Sequence, residues 1–205
     1  MTVYISGEGN TDRAVYPIIM MKVKDIPYIN LEWVEKDELK KMPSHPKIGE
    51  KITAHHKYIK ALATHSLIKN SKYIAYHRDA DGKYSEVYNA IESDFKPLRE
   101  KSNFKCLAIV PKEMLESWLL ADVKAINSLG NGTVHVNESP LPETICNPKD
   151  YLEQDFVKLK IDNITAAYTQ IAENTDIEVL KRRCPKSFGQ FYTDMQSFIT
   201  EEPAP

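Results

Sequence analysis

A chain of 205 residues with 27 basic and 29 acidic side chains, net charge −2, suits one large domain or a domain with an appendage, and shows no global positive field toward nucleic acid. No apolar run approaches the roughly 20 residues of a bilayer helix, and the N-terminus enters a strand-like segment with no charged leader. The cysteines, Cys106, Cys146 and Cys184, are odd in number and lack CxxC pairing, which speaks against a disulfide framework or structural zinc and leads us to expect reduced thiols in a cytoplasmic chain.

Thr2 to Ser6 is β-branched and aromatic, then breaks at Gly7-Glu8-Gly9-Asn10, as a strand ending at a turn does. Asn10 or Thr11 caps a following helix, with Asp12 in its first turn and Ala14, Val15, Ile18, Ile19 and Val23 at helical spacing. Pro17 is the weak point of that helix, since it removes a hydrogen bond. Ile29, Leu31 and Trp33 alternate with polar residues as in a second strand. Lys36 to Lys51 is lysine-rich, contains Pro43 and Pro46, and reads as a mobile connection into a long helix from about Ile48 to Ile68.

A third strand is expected from Tyr73 to Tyr76 and a helix from Tyr84 to Leu98, with Val87, Ile91, Phe95 and Leu98 on one face. Cys106 to Val110 is an uninterrupted apolar run, the pattern of a strand covered on both faces. Pro111 ends it, and a helix carrying Met114, Leu115, Trp118, Leu119 and Leu120 follows. Strands alternating with helices indicate a parallel or mostly parallel α/β sheet. After a boundary near residue 125 the chain changes: Asn127 to Pro148 is rich in Gly, Asn and Pro, and Pro148–Val157, Asn163–Ala172, Ile177–Arg183 and Phe188–Thr200 read as helices. Glu201 to Pro205 reads as a frayed tail.

Ligands of such sheets sit outside the carboxyl ends of the strands. Glu8 lies there after the first strand, between two glycines that leave room beside its carboxylate. Asp79 and Asp81 follow the third strand. Alternate strand residues face the same way, so the pair makes a poor core and a good site for a hard cation. The plain alternatives are a surface turn for Glu8 and an Asp-rich turn with Asp81 as an N-cap. If the first and third strands are neighbours, three carboxylates converge and repel unless a divalent cation joins them, and an oxygen-only set favours Mg²⁺ or Mn²⁺.

A Glu after strand one and an Asp-x-Asp after strand three of a compact parallel unit resembles the Toprim domain of topoisomerases, primases and overcoming-lysogenisation-defect nucleases. Further pieces are similar to a family of small bacterial Toprim-like proteins: Glu8-Gly9-Asn10-Thr11-Asp12, Asp79-Ala80-Asp81-Gly82, Pro111 with Glu116-Ser117-Trp118-Leu119-Leu120-Ala121-Asp122, Asn147-Pro148-Lys149 and Cys184-Pro185-Lys186-Ser187-Phe188. Asn10 stands at the pattern's variable position. The resemblance implies a Toprim-like four-stranded α/β domain over 1–125, with a helical region over 126–205 packed on it. It also implies metal-dependent nuclease chemistry, in a setting of antiphage defence, with Glu8, Asp79 and Asp81 catalytic and metal-binding. Glu116 either faces solvent beside Glu113 or joins the cluster as a further ligand; the second is taken because the resemblance includes it. Asp122 reads as a capping residue.

Weaker candidates for nucleic-acid contact are Lys83, directly after Asp81-Gly82, and two basic runs. One contains Lys57 and Lys60 among the lysines at 36, 40, 41, 47, 51, 57 and 60; the other contains Lys181, Arg182, Arg183 and Lys186. Solvated charge is the commoner meaning of such runs. His77 without a second His or Cys at ligand spacing speaks against zinc, and His55 and His56 read as exposed or partly packed. There is no GxGxxG after a strand, GxxxxGK[ST], HExxH or GxSxG, so ATPase activity would come from a partner protein, beside which a non-catalytic interaction role is the competing expectation.

Overall fold

The structure, a computed structural model, describes residues 1–23, 29–42, 54–130, 132 and 134–199. Four strands, β1 (Thr2–Ser6), β2 (Asn30–Trp33), β3 (Tyr73–His77) and β4 (Lys105–Ile109), form one sheet in the order β2-β1-β3-β4. All three pairings are parallel, with Ser6 level with Tyr76 and His77 level with Ile109. Parallel neighbours require crossovers, and helices supply them.

Alternation along the strands divides the core in two. Val3, Ile5, Ala75, Leu107 and Ile109 face one side with α1 (Asn10–Val23) and the C-terminal helices; Tyr4, Ile74, Tyr76, Cys106 and Ala108 face the other. Both faces of the sheet are therefore covered as far as the edge strand β4, which is why β4 reads as a continuous apolar run. The second face is covered by α2 (Lys36–Leu39), α3 (Ala54–Ile68) and α4 (Tyr84–Ser102). Pro17 is accommodated inside α1, and α4 continues through Pro97 until Asn103 adopts a left-handed φ of 54° and its N–H bonds Leu98. The lysine-rich connection begins as α2, with Leu39 buried, so its first residues are folded. Residues 43–53, including Pro43, Pro46, Lys47, Lys51 and the expected start of the long helix at Ile48, lie outside the described residues.

The remaining helices are α5 (Leu115–Leu119), α6 (Val123–Asn127), α7 (Pro148–Leu159), α8 (Ile164–Asn174), α9 (Ile177–Arg183) and α10 (Ser187–Ile199). They pack on α1, on β4 and on one another, and share one core with the sheet. Trp118 is the hub. Its fully buried ring meets Tyr16, Phe188 and Phe191, and its Nε1–H donates to Ser187 Oγ at 2.9 Å. Ser187 Oγ donates in turn to Glu143, whose carboxylate also accepts the backbone N–H groups of Lys186 and Ser187 at the start of α10. Cys184 Sγ donates to Ser117 O. Two of the spaced sequence motifs thus meet as a packing joint.

Asp122 caps α6 through Lys124 N and Ala125 N, as its position suggests, and its second oxygen accepts Asp176 N at 2.9 Å. It therefore ties α6 to the start of α9. We expect Asp122→Ala to cost about 1–2 kcal/mol in urea unfolding. Asp122→Asn, which keeps one acceptor oxygen, falls between; an alanine variant as stable as wild type would remove this tie from the account. Among the described residues no helix is long and apolar enough to cross a membrane.

Candidate active site at the carboxyl edge of the sheet

The chain leaves β1 toward β2 on one side, and β3 toward β4 on the other, so the order reverses between β1 and β3. Outside that reversal lies the crevice where open α/β sheets take ligands. Glu8 leaves β1 and Asp79 leaves β3 at this point, which makes the neighbour relation between the two strands a property of the fold.

β3 continues its alternation into the site. Tyr76 belongs to the α3 side, whereas His77 packs on Tyr16 of α1 with ring centroids 4.5 Å apart. His77 is completely buried; Nε2 lies 3.1 Å from Asp79 Oδ1 and Nδ1 lies 3.0 Å from Asp12 Oδ2. The second approach is an ion-pair contact that misses hydrogen-bond geometry. Burial alone would lower the imidazole's pKa, but the two carboxylates outweigh it and hold it up at about 9. His77 is thus a buried imidazolium at neutral pH, joining two acids that are 67 residues apart in sequence.

Asp12 is itself organised. Its Oδ2 accepts the backbone N–H groups of Glu8 at 3.0 Å and Gly9 at 2.9 Å. Burial would raise its pKa; His77 and those two N–H groups hold it below the usual carboxylate value. Asp12 thereby fixes the turn that carries Glu8. Asp79 is pushed the other way, first by burial, with Asp12 and Glu8 adding to it against His77.

Glu8 Oε1 accepts from Arg78 Nη1, and Lys36 Nζ lies 3.5 Å away. Glu116, on α5, is 9 % exposed; its Oε1 accepts from Tyr168 Oη at 2.9 Å. Burial raises its pKa, and Asp79 raises it further while Lys149 opposes. Glu116 therefore faces the cluster and not the solvent. Tyr16 Oη is buried with no hydrogen-bond partner; its pKa is driven far up by burial and then by Asp12, Asp79, Glu116 and Glu8. The charges of four carboxylates reach one orphaned hydroxyl.

Asp81 stands apart. The strand ends at His77, so alternation does not carry as far as residue 81. Ala80 is buried against the α3 side, and Asp81 and Gly82 adopt φ of 45° and 80°, conformations that Asp tolerates and Gly favours. The turn is laced to the end of β4 by Ala80 N to Pro111 O, Asp81 N to Glu113 O and Gly82 N to Lys112 O. Asp81 is exposed and, after burial and against Lys112, raises the Glu113 carboxyl. The structure brings together Glu8, Asp79 and Glu116 with Asp12 and His77, and leaves Asp81 outside them in the exposed turn.

Of the basic candidates, Lys83 is exposed at the start of α4, Lys57 is exposed and Lys60 half-buried on α3, and Arg182 is exposed. Arg183 is not available for phosphate. It is 6 % exposed and donates to the carbonyls of Ala121, Ser139 and Pro140 and to Glu138, because Leu180, Arg183 and Cys184 share the inward face of α9.

Gly7 is required here. A Cβ at this position would sit 2.7 Å from Trp33 Cη2 and 2.9 Å from His77 Nδ1. Gly7→Ala should therefore cost about 1–2 kcal/mol and shift the His77 ring resonances in an NMR titration. An alanine variant with wild-type stability and an unmoved His77 would show that the turn has slack we do not see.

Among the described residues no three His, Cys, Asp or Glu side chains stand ready-made around a metal position. The donor chemistry nonetheless fits a hard cation: Glu8, Asp79 and Glu116 engage Oε1, Oδ1 and Oε1 in the contacts above, and their other oxygens, with the orphaned Tyr16 hydroxyl beside them, are hard donors. Residues 40–196 match the family model described as "Domain of unknown function (DUF4276)". No curated protein and no solved structure matches the chain.

Proposed function

The chain belongs to the DUF4276 family, and from the chemistry of the site we propose that it is a metal-dependent phosphodiester hydrolase acting on nucleic acid, a nuclease of Toprim type using Mg²⁺ or Mn²⁺. The observation that carries this reading is the convergence of Glu8, Asp79 and Glu116 at the β1/β3 reversal around an orphaned hydroxyl. Glu8, Asp79 and Glu116 would hold the cation. When bound, the cation supplies an activated water and neutralises charge on the scissile phosphate.

The chain's own groups do the rest. His77 fixes the Asp79 carboxylate through Nε2, and Asp12 fixes the Glu8 turn through two N–H groups. Arg78 and Lys36 hold Glu8 and place positive charge at the mouth. Glu8 is placed to act as general base or acid when its oxygen comes within hydrogen-bond reach of the reacting oxygen. Defence against phage and cooperation with a partner ATPase belong to this reading as its biological setting.

Titration of the protein with Mn²⁺, followed by electron paramagnetic resonance, tests it apart from turnover. Wild type should bind, and Asp79→Asn or Glu116→Gln should weaken binding by about 10–100-fold. Equal affinity in all three proteins would remove the cation from this site.

A further inference from the structure

The two walls of the site differ in sign. The α1 and α5 side holds Asp12, Asp79 and Glu116. The α3 side holds Lys36, His55, Tyr58 and Arg78. Lys36 Nζ lies 5.5 Å over the half-buried Tyr58 ring, and Arg78 keeps 38 % of its side chain exposed. His55 and Tyr58 are three residues apart on α3 and share a face. The His55 ring meets Tyr76 edge-on at 6.1 Å.

This wall also contains polar atoms that folding leaves unsatisfied. His55 Nδ1 is buried with no hydrogen-bond partner, as is Ser6 Oγ, which lies level with Tyr76 and on the same face of the sheet. Around His55 stand Arg78 from just past β3, Asp94 from α4, Glu8 from the first turn and Lys36 from α2; burial first, then Arg78, keep its pKa below the usual imidazole value. His55 Nδ1 is therefore an open hydrogen-bonding atom in this wall. Lys36 and Arg78 reach the cation site only through a single oxygen of Glu8, and His55 and Tyr58 touch none of the proposed ligands.

We propose that the α3 wall, formed by Lys36, His55, Tyr58 and Arg78, binds an unpaired nucleic-acid strand, with one phosphate against Arg78 and Lys36 and a base against Tyr58. The proposal rests on the hydrolase reading and names its substrate class. Cations with an aromatic ring at their side are what single strands bind, because every base has a stacking face and every phosphate a charge. The opposite, acidic wall repels phosphates and so fixes which side the strand takes. The target carboxylates are recessed, with Glu8 27 % and Asp79 24 % side-chain exposed, and Glu116 is buried.

The test is fluorescence anisotropy in EDTA, which separates binding from cutting, with labelled single-stranded DNA, single-stranded RNA and the matching duplex. Wild type should bind a single strand about tenfold or more tighter than the duplex. Lys36→Glu and Tyr58→Ala should each weaken binding by about tenfold, and Lys36→Ala should lower the salt slope by about 0.7; Lys101→Ala, on the far end of α4, should change neither. Thermal melts confirm that each variant is folded. Binding of DNA alone or of RNA alone supports the proposal and assigns the strand's chemistry. Duplex binding as tight as single-strand binding, or folded Lys36 and Tyr58 variants within twofold of wild type, would overturn it. Wall-dependent binding with no cleavage under Mg²⁺ or Mn²⁺ would keep the strand site and sink the hydrolase reading; cleavage without wall-dependent binding would do the reverse.

Discussion

Replacing His77 by alanine is expected to destabilise the fold by about 3 kcal/mol, the low end of the cost of breaking a buried ion pair from one side. The low end applies because Asp79 keeps 24 % of its side chain exposed, so water relieves part of its charge. Asp12, at 10 %, has no such relief. The effect carries a pH signature. His77's pKa rises from 6.5 unfolded to about 9 folded, so the stability it contributes is complete below about 6.5 and is lost as pH rises through about 9, on the order of 3 kcal/mol in all. Asp12, whose pKa is lowered, contributes above the ordinary carboxylate range and loses its share only in acid. Urea unfolding between pH 6 and 10 reads the difference between wild type and His77→Ala. That difference should shrink steadily through the window, and a gap that stays constant with pH would show that His77 is held by packing and not by charge.

The sheet was legible in the sequence because its strands announce themselves locally, in Thr2–Ser6, in the alternation around Leu31 and in the apolar run at Cys106. What no local pattern states is that β1 and β3 are neighbours, since that follows from the direction of two crossovers. The site was half legible for the same reason. Glu8 and Asp79 could be placed at strand ends, whereas Asp12 and His77 each have a sufficient local meaning, an acid in a helix's first turn and a lone histidine. Only the fold brings them together. A signal existed: His77 continues an apolar strand without a break, so a buried histidine had to find a partner. Asp81 was misplaced by extending strand alternation past the strand's end, into a turn whose left-handed φ at 81 and 82 belongs to the Asp-Gly pair itself. Arg183 reads as one of a basic run, yet it follows Leu180 by three residues and precedes Cys184, which marks an inward face of α9.

The catalytic assignment predicts the largest functional effect. Asp79→Asn removes a charge from the cluster while keeping the size and one acceptor for His77, so the fold should survive while hydrolysis falls by about 10²–10³-fold, the usual cost of one electrostatic group aimed at a reacting centre. Glu8→Gln should fall by a similar factor. It also releases Arg78 and Lys36 from their shared oxygen, so it should bind a single strand no more weakly than wild type. Asp81→Asn, in the exposed turn, should fall less than either.

The most direct measurement is cleavage of end-labelled single-stranded DNA and RNA by the purified protein with Mg²⁺ or Mn²⁺, run beside an equal concentration of folded Asp79→Asn. The account predicts metal-dependent product from wild type and about a hundredfold less or below from the variant. Product formed equally by both proteins, or by neither on any strand offered, would contradict it.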